Sequence, residues 1–566
     1  MTMKKQLSFS QKSWEFRADK VVHSLPELQE ILLEARGLKE HAKIKKFLEP
    51  SLSDLVSPWE MSGMREAVAR VCESIAKKER IVVFGDFDAD GITATVILVQ
   101  VLEKLGAQVS YRIPERNVDS HGLKKHLLDD LITRDVKLVI SVDCGINDAA
   151  EVTHAKEKGL DIIITDHHHS CEKNFPHDAI AVLNPKLQGN GKTYESLAGV
   201  GVAWKLALAL LEEMASEQPE LLQEILDPLL EIAAIGTIAD CVELTDENRI
   251  IVKFGLEKMK ETPWEGLLTL LEETGVSLEE ISEETVGFVI APHLNAASRL
   301  GNVLIASQLF LGKDGNHDSR VSQLQELNKE RRALTEEAVG EAKTQVRARA
   351  PFQMFYDAKW KPGILGLLAA RYSQQLGVPV VACTKREDGT ISASCRAPLP
   401  YSIIEGLHAV QKLLSGYGGH DGAAGLFMQA ENYDEIRDEL DKYFRAQNIG
   451  ALPQRVDAWV EAGLLSFELV EFLKYFAPFG QGNPAPILGL KGVKIRDVRP
   501  MGKTGNHVRF IGELNGEELE LVAFFAEHII DEVKEGDVID VAVTIGENEW
   551  QGERRLQLRV EDARRV

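Results

Sequence analysis

Three short apolar runs in the first third of the chain each stop at an aspartate, and this repeated ending constrains the fold more than any other feature. Ile81-Val82-Val83-Phe84-Gly85 runs into Asp86-Phe87-Asp88-Ala89-Asp90, Leu138–Val142 into Asp143-Cys144-Gly145, and Ile162–Thr165 into Asp166-His167-His168-His169. Short apolar runs bounded by turn residues read as strands buried on both faces. Two further runs, Gln108–Ile113 and Ile180–Leu183, fit the same pattern, and helical patterns at Leu123–Thr133 and Asp148–Lys158 separate them. Alternating strands and helices predict a doubly wound α/β domain with a parallel sheet. Parallel strands share a direction, so all three acidic termini open on one edge, where such sheets place ligands.

That edge collects five carboxylates and up to three imidazoles. Like charges a few ångströms apart cannot all ionise cheaply unless a cation lies between them. Asp86, Asp88, Asp90 and Gly91 also match the start of an EF-hand loop, but the bidentate Glu of its twelfth position is here Ile97. Helix capping accounts for one aspartate near the start of the Ile92–Leu105 helix and leaves the other two unexplained. Oxygen ligands with one or two histidines suit Mn²⁺ or Mg²⁺, and nothing here has the thiolate spacing of structural zinc. Asp240, at the end of Ala234-Ile235-Gly236-Thr237-Ile238-Ala239, is a further acid that could reach the site.

The six cysteines show no close pairing and read as reduced thiols. A formal charge of −23 argues against diffuse attraction to nucleic acid or an anionic membrane. A nucleic-acid enzyme would need its positive charge concentrated in a groove or supplied partly by metal. No run approaches the ~18 apolar residues of a membrane span, and Met1-Thr2-Met3-Lys4-Lys5-Gln6 leads into polar sequence, so a cytoplasmic protein is expected.

At 566 residues the chain should hold about three or four domains. Residues 1–75 read as a mostly helical N-terminal segment, and 76–325 as the α/β domain with a helical insertion from about Leu197 to Thr285. A charged helix from Leu327 to Val346 reads as a connector, assigned to 326–350. Strand-like runs and a Gly-dense stretch from Gly416 to Gly425 place a second, smaller α/β domain at 351–452. Residues 453–566 hold five strand candidates split by turns, which suits a small barrel, preferably an OB-fold.

The set Asp86-x-Asp88-x-Asp90, Asp143, Asp166-His167-His168 and Asp240 resembles the motifs of the DHH phosphoesterase superfamily. Beyond it, Leu197-Ala198-Gly199-Val200-Gly201, Asn295-Ala296-Ala297-Ser298-Arg299-Leu300, Trp360-Lys361-Pro362-Gly363, Gly418-Gly419-His420 and Pro478-Phe479-Gly480 are similar to segments of its RecJ family of single-strand-specific exonucleases. The resemblance implies a catalytic DHH domain, a DHH-associated substrate-binding domain and an OB-fold, working as a two-metal 5′→3′ exonuclease on single-stranded DNA in recombination and repair. It implies Asp88, Asp90, Asp143, His167 and Asp240 as ligands of two Mn²⁺ or Mg²⁺ ions, Asp86 and Asp166 as completing the site, and His168 beside the scissile phosphate. Arg116, Arg299, Ser394, Arg396, Gly418, Gly419 and His420 match phosphate-binding positions. A helicase and a single-strand-binding protein are the implied partners, with no membrane. Lys361, His293 and His121 depart from the family pattern.

Two other readings compete. A phosphoesterase for short oligonucleotides or cyclic dinucleotides would use the same metal site, but the C-terminal extension favours a long polymer. A non-catalytic replication scaffold should have lost metal-site acids, and all are present.

Overall fold

The computed structural model describes residues 8–10, 12–116, 119, 121–187, 190, 196–217, 219–449, 452–501, 507–524, 529, 532–550 and 553–566. The chain divides into two units, one of residues 55–449 and one that joins 1–54 to 450–566.

Strand β1 (Trp14–Val22) belongs to the second of these. The larger unit opens with β2 (Arg80–Gly85), β3 (Gln108–Arg112), β4 (Val136–Val142), β5 (Asp161–Thr165) and β6 (Ala181–Leu183). They form an all-parallel sheet in the order β3-β2-β4-β5-β6. Alternate side chains go to opposite faces, as the period of a strand requires. Ile81, Val83, Leu138, Ile140 and Ile163 join the core made with the helices Met64–Ala76, Ala89–Lys104 and Gly199–Ala215. Val82, Phe84, Val139, Ile162 and Ile164 pack on Leu127, Leu128, Leu131, Val152 and Ala155 of the helices Lys125–Thr133 and Ala149–Glu157. The sheet is doubly wound as expected, and its strand order reverses between β2 and β4, which sets the ligand crevice at their carboxyl ends.

The helical stretch beyond Gly199 is not a separate layer. Leu206, Leu210, Ile232 and Ile235 share one core with Ile81 and Val83, so these helices clamp Ala89–Lys104 from the side away from the sheet. One buried acid there stands out. Glu231 is 2% exposed, and its Oε2 has no hydrogen-bond partner among the described residues. Burial pushes its carboxyl up from 4.5 to about 8. Between these values the folded state binds the extra proton, so stability should fall as pH rises from about 5 to 8. In Glu231→Gln that decline should flatten, leaving the variant a few degrees more stable at pH 8 than the parent; parallel melting curves would refute it.

The same unit contains the helix His317–Ala342, which starts ten residues before the expected Leu327 and stops before Val346. Arg320, bound to Asp314 at 2.7 Å, ties its first turn to the preceding loop. It leads to a mixed sheet of β7 (Gln353–Tyr356), β8 (Val380–Lys385), β9 (Ile391–Arg396), β10 (Leu414–Gly419) and β11 (Ala423–Met428), in the order β10-β11-β9-β8-β7.

In the other unit, β12 (Gln454–Val460) precedes β13 (Leu488–Met501), β14 (His507–Leu514), β15 (Glu517–Ala523), β16 (Val538–Trp550) and β17 (Glu553–Arg565). β13 pairs with both β14 and β16, which closes the ring β13-β14-β15-β17-β16 into the expected five-stranded barrel. The N-terminal segment holds the helices Leu25–Ala35, His41–Leu48 and Met64–Ala76, in line with its mostly helical expectation, and departs from it at β1, a strand that pairs in parallel with β12. Trp14 and Phe16 alternate on one face and pack around Trp459, with Phe16 stacked on it at 4.5 Å. No described helix is long and apolar enough to cross a membrane.

Candidate metal centre and phosphate pocket

β2 delivers Asp86, whose amide donates to the Val142 carbonyl of β4 at 3.2 Å. The turn that follows is tight. A Cβ on Gly91 would lie 2.6 Å from the Asp86 carbonyl, so only glycine fits. Asp88 caps the helix Ala89–Lys104, its Oδ1 accepting from the Asp90 and Gly91 amides at 3.0 and 3.2 Å. The capping role foreseen for one aspartate therefore falls to Asp88. Asp90, inside the first turn, is received by the amides of Gly199 (2.8 Å) and Val200 (2.7 Å), the N-terminus of the helix Gly199–Ala215. Unpaired helix-start amides and the helix dipole together favour an anion there.

Asp143 follows β4 in a left-handed conformation, φ 60°. Asp166 follows β5 and is enclosed by donors: Ile146 N (3.0 Å), His167 N (2.7 Å), His168 N (3.0 Å) and His168 Nδ1 (2.7 Å). Burial opposes its charge, but the His168 charge and hydrogen bond outweigh burial and hold the carboxyl well below its usual range. The same pairing raises the imidazole of His168 against the cost of burial. Asp166 is thus saturated and orients His168.

His167 is the opposite case. Its Nε2 lies 3.3 Å from Asp143 Oδ1, 3.5 Å from Asp240 Oδ2 and 3.9 Å from Asp90 Oδ2, yet neither ring nitrogen has a hydrogen-bond partner among the described residues. Burial, reinforced by His168, brings its imidazole down to about 3, so it is neutral with a lone pair to offer. Burial and the neighbouring carboxylates push Asp90 and Asp143 well above the ordinary range and Asp240 up to about 7. Asp86 Oδ1 and Asp143 Oδ1 are also buried, and each faces an imidazole nitrogen, His121 Nδ1 at 3.2 Å and His167 Nε2 at 3.3 Å. Three overlapping groups offer atoms within 4.8 Å of one another: Asp86, Asp88 and Asp143; Asp90, His167 and Asp240; and Asp143, His167 and His168. Unpaired buried oxygens and nitrogens that destabilise one another's charge are a donor set that fits divalent cations.

Cations that form no ion pair among the described residues face these acids. Arg299 donates to the Gly363 carbonyl at 2.8 Å, and burial, with Arg116, Arg396 and Arg331 around it, lowers its guanidinium to about 9. Arg396, at the end of β9, donates to the Cys395 carbonyl at 2.8 Å and Ser394 Oγ at 3.3 Å. Arg116 lies 4.8 Å from the centre of the Phe87 ring. His420 hydrogen-bonds through its amide to the Ala423 carbonyl (2.8 Å); desolvation, then Arg396 and His168, lower its imidazole, which puts it opposite the acidic edge. Gly419, at φ 143°, could carry no side chain, since a Cβ would meet the Ala423 carbonyl at 2.4 Å. Gly418 is exposed with open space where its side chain would stand.

Several residues escaped sequence reasoning. Asn295 accepts from the Ala89 amide at 3.0 Å, and Asn184 donates to the His168 carbonyl at 2.9 Å. His121 pairs with Asp86 at 3.2 Å; burial opposes its charge, but Asp86 prevails and raises it to about 9. The segments holding Gly199 and Asn295 had been marked as family-like, without any role. Lys361, a departure from the pattern, pairs with Glu330 at 2.7 Å.

Family models match in three places: the DHH family N-terminal domain over residues 80–237, the DHHA1 domain over 349–446, and the RecJ OB domain over 456–562. The single-stranded-DNA-specific exonuclease RecJ of Bacillus subtilis is 33% identical over 96% of this chain and 68% of its own length. That of Haemophilus influenzae is 31% identical over 94% of this chain and 95% of its own. The crystal structure of RecJ in complex with Mn²⁺ from Thermus thermophilus superposes with a TM-score of 0.81 at 29% identity, covering 100% of this chain and 80% of that one. With the acids, the histidines and the three domain matches in place, the chain belongs to the RecJ family.

Proposed function

We propose that the protein is a metal-dependent exonuclease that degrades single-stranded DNA in the 5′→3′ direction to 5′-mononucleotides, in recombination and repair in the cytoplasm. The observation that carries this reading is a buried set of acids around a neutral His167, whose ring nitrogens have no hydrogen-bond partner among the described residues, with arginines opposite that form no ion pair among those residues. Asp88, Asp90, Asp143, His167 and Asp240 would hold two ions, Mn²⁺ or Mg²⁺, with Asp143 shared. Such ions, when bound, supply an activated water and neutralise charge developing on the phosphate.

The chain's own residues do the rest. Gly199 and Val200 amides hold Asp90, and Asp166 fixes the ring of His168 through its Nδ1. Asp86, paired with His121, completes the acidic wall. Hydrolysis breaks the bond between phosphorus and the terminal nucleotide's O3′, which takes a proton as water's hydroxide joins phosphorus. Each turnover leaves a new 5′-phosphate, the group that Arg116, Arg299, Ser394, Arg396 and the Gly418-Gly419-His420 segment would bind. Arginine suits this work because its planar fork matches phosphate oxygens. The barrel would hold the strand, with a helicase and a single-strand-binding protein as partners.

The test is incubation of 5′- or 3′-labelled single and double strands with Mn²⁺. Loss of the 5′ label as mononucleotide from single strands is the expected result; shortening from the 3′ end, or equal attack on duplex, would overturn the reading. In Arg396→Ala, the preference for 5′-phosphorylated over 5′-hydroxyl ends should fall by about tenfold or more, the worth of a charge-assisted hydrogen bond. An unchanged preference would remove Arg396 from the pocket.

A further inference from the structure

The departure at His293 leads to a cation that no role above uses. His293 is 6% exposed, on the helix Ala291–Leu300 that also carries Arg299. Its Nδ1 bonds the Val289 carbonyl at 2.6 Å, in the π-helical turn Val286–Ile290. Its Nε2 meets Asn328 Nδ2 at 3.1 Å, and Asn328 Oδ1 accepts from Arg331 Nε at 3.0 Å. Asn328, 3% exposed, sits on the helix His317–Ala342 one turn before Arg331.

The chemistry of this relay admits one arrangement. A carbonyl can only accept, so the ring proton is on Nδ1, and Nε2 must accept from the Asn328 amide. That turns Asn328 Oδ1 toward Arg331. A protonated ring would present a second N–H to Asn328, turn the amide over and take away Arg331's acceptor. Burial, with Arg332 and Arg331 nearby, keeps the ring neutral.

The relay uses only Nε of Arg331. Among the described residues its two terminal nitrogens make no hydrogen bond or ion pair. Two acids of the same helix are paired elsewhere, Glu330 with Lys361 at 2.7 Å and Glu336 with Arg371 at 2.6 Å. Arg331 is close enough to Arg299 to disfavour its charge. In a chain of net charge −23, two neighbouring guanidiniums that form no ion pair among the described residues point to an anion from outside.

Resting on the exonuclease reading, we propose that Arg331 is a further strand-binding residue that takes an internal phosphate of single-stranded DNA beside the Arg299–Arg396 pocket. His293 and Asn328 are positioning residues that aim it. Arg331 has no ion pair with the metal-site acids, so its contribution falls on substrate affinity rather than turnover.

The test compares the full-length Mn²⁺-loaded protein with Arg331→Ala, Arg331→Lys and Asn328→Leu on oligo(dT). A second measurement follows anisotropy of labelled oligo(dT) on metal-free protein, and melting temperature reports folding. Arg331→Ala should raise KM about tenfold, keep kcat within about threefold, and lower the salt dependence of binding by about one phosphate contact. Arg331→Lys should keep the salt dependence but bind several-fold more weakly, and Asn328→Leu should weaken binding with kcat kept. Unchanged KM and anisotropy in folded Arg331→Ala, or a fall in kcat alone, would overturn the proposal. If Arg331→Ala does not fold, unchanged binding in both other variants overturns it. A parent protein that binds oligo(dT) without shortening it would sink the exonuclease reading, and the anisotropy arm would still decide the role of Arg331.

Discussion

An Asp143→Asn variant will lose metal-dependent hydrolysis by roughly three orders of magnitude, about 4 kcal/mol of barrier, while its metal-free form melts no lower than the parent. Both halves follow from one carboxylate. Asp143 is buried, its Oδ1 has no hydrogen-bond partner among the described residues, and burial and then Asp90, Asp88 and Asp240 work against its charge. Without metal it is a liability, and asparagine removes the repulsion. With metal it is the acid common to two of the three donor groups, so its loss opens both. Asparagine is a cleaner substitute than alanine because it tolerates the left-handed backbone at φ 60°. The rise in melting temperature on adding Mn²⁺ should shrink in parallel, since a ligand stabilises only the state that binds it. Activity within tenfold of the parent, in a variant that melts normally, would remove Asp143 from the centre.

Gly199→Ala should be nearly as damaging, although glycine carries no chemistry of its own. A Cβ there would stand 2.5 Å from Asp143 Oδ1 and 2.6 Å from its Cβ, closer than real atoms approach. The amide of the same residue holds Asp90 at 2.8 Å. Relief of the clash must move the helix start, and with it the clamp on Asp90, or swing Asp143 out of the left-handed turn. We expect a loss of about 1–3 kcal/mol in stability, as for overpacking elsewhere, and a fall in Mn²⁺ affinity of about tenfold or more. Calorimetric titration with Mn²⁺ measures the second directly; parental affinity would show that the helix start can yield without disturbing the acids.

The acidic edge was legible because it depends on local pattern alone. Buried strands have a recognisable composition, and parallel neighbours must end on the same side, so Asp86, Asp143 and Asp166 could be brought together without coordinates. What holds each acid was not legible. Asp90 is gripped by amides 109 and 110 residues away, and Asp166 by Ile146 N, and backbone groups leave no mark in a sequence. The different fates of Asp166 and His167, one saturated and one bare, depend on those same amides. Within the mostly helical N-terminal segment, the strand Trp14–Val22 went unforeseen for a related reason. Trp14, Phe16 and Ala18 do alternate as a strand should, but their partner strand begins at Gln454, and only that pairing selects strand over helix.

That pairing also bears on how the chain is made. Trp459 Nε1 donates to Asp19 Oδ1 at 3.1 Å across 440 residues. At synthesis rates of about 5–20 residues per second, the segment bearing Trp14 and Phe16 leaves the ribosome roughly 20–90 s before its partner exists. Throughout that interval the nascent protein presents an unpaired edge and two aromatic side chains while the intervening unit folds. Its first-made segment is therefore among the last to find its place, and the interval is a window for chaperones and for aggregation.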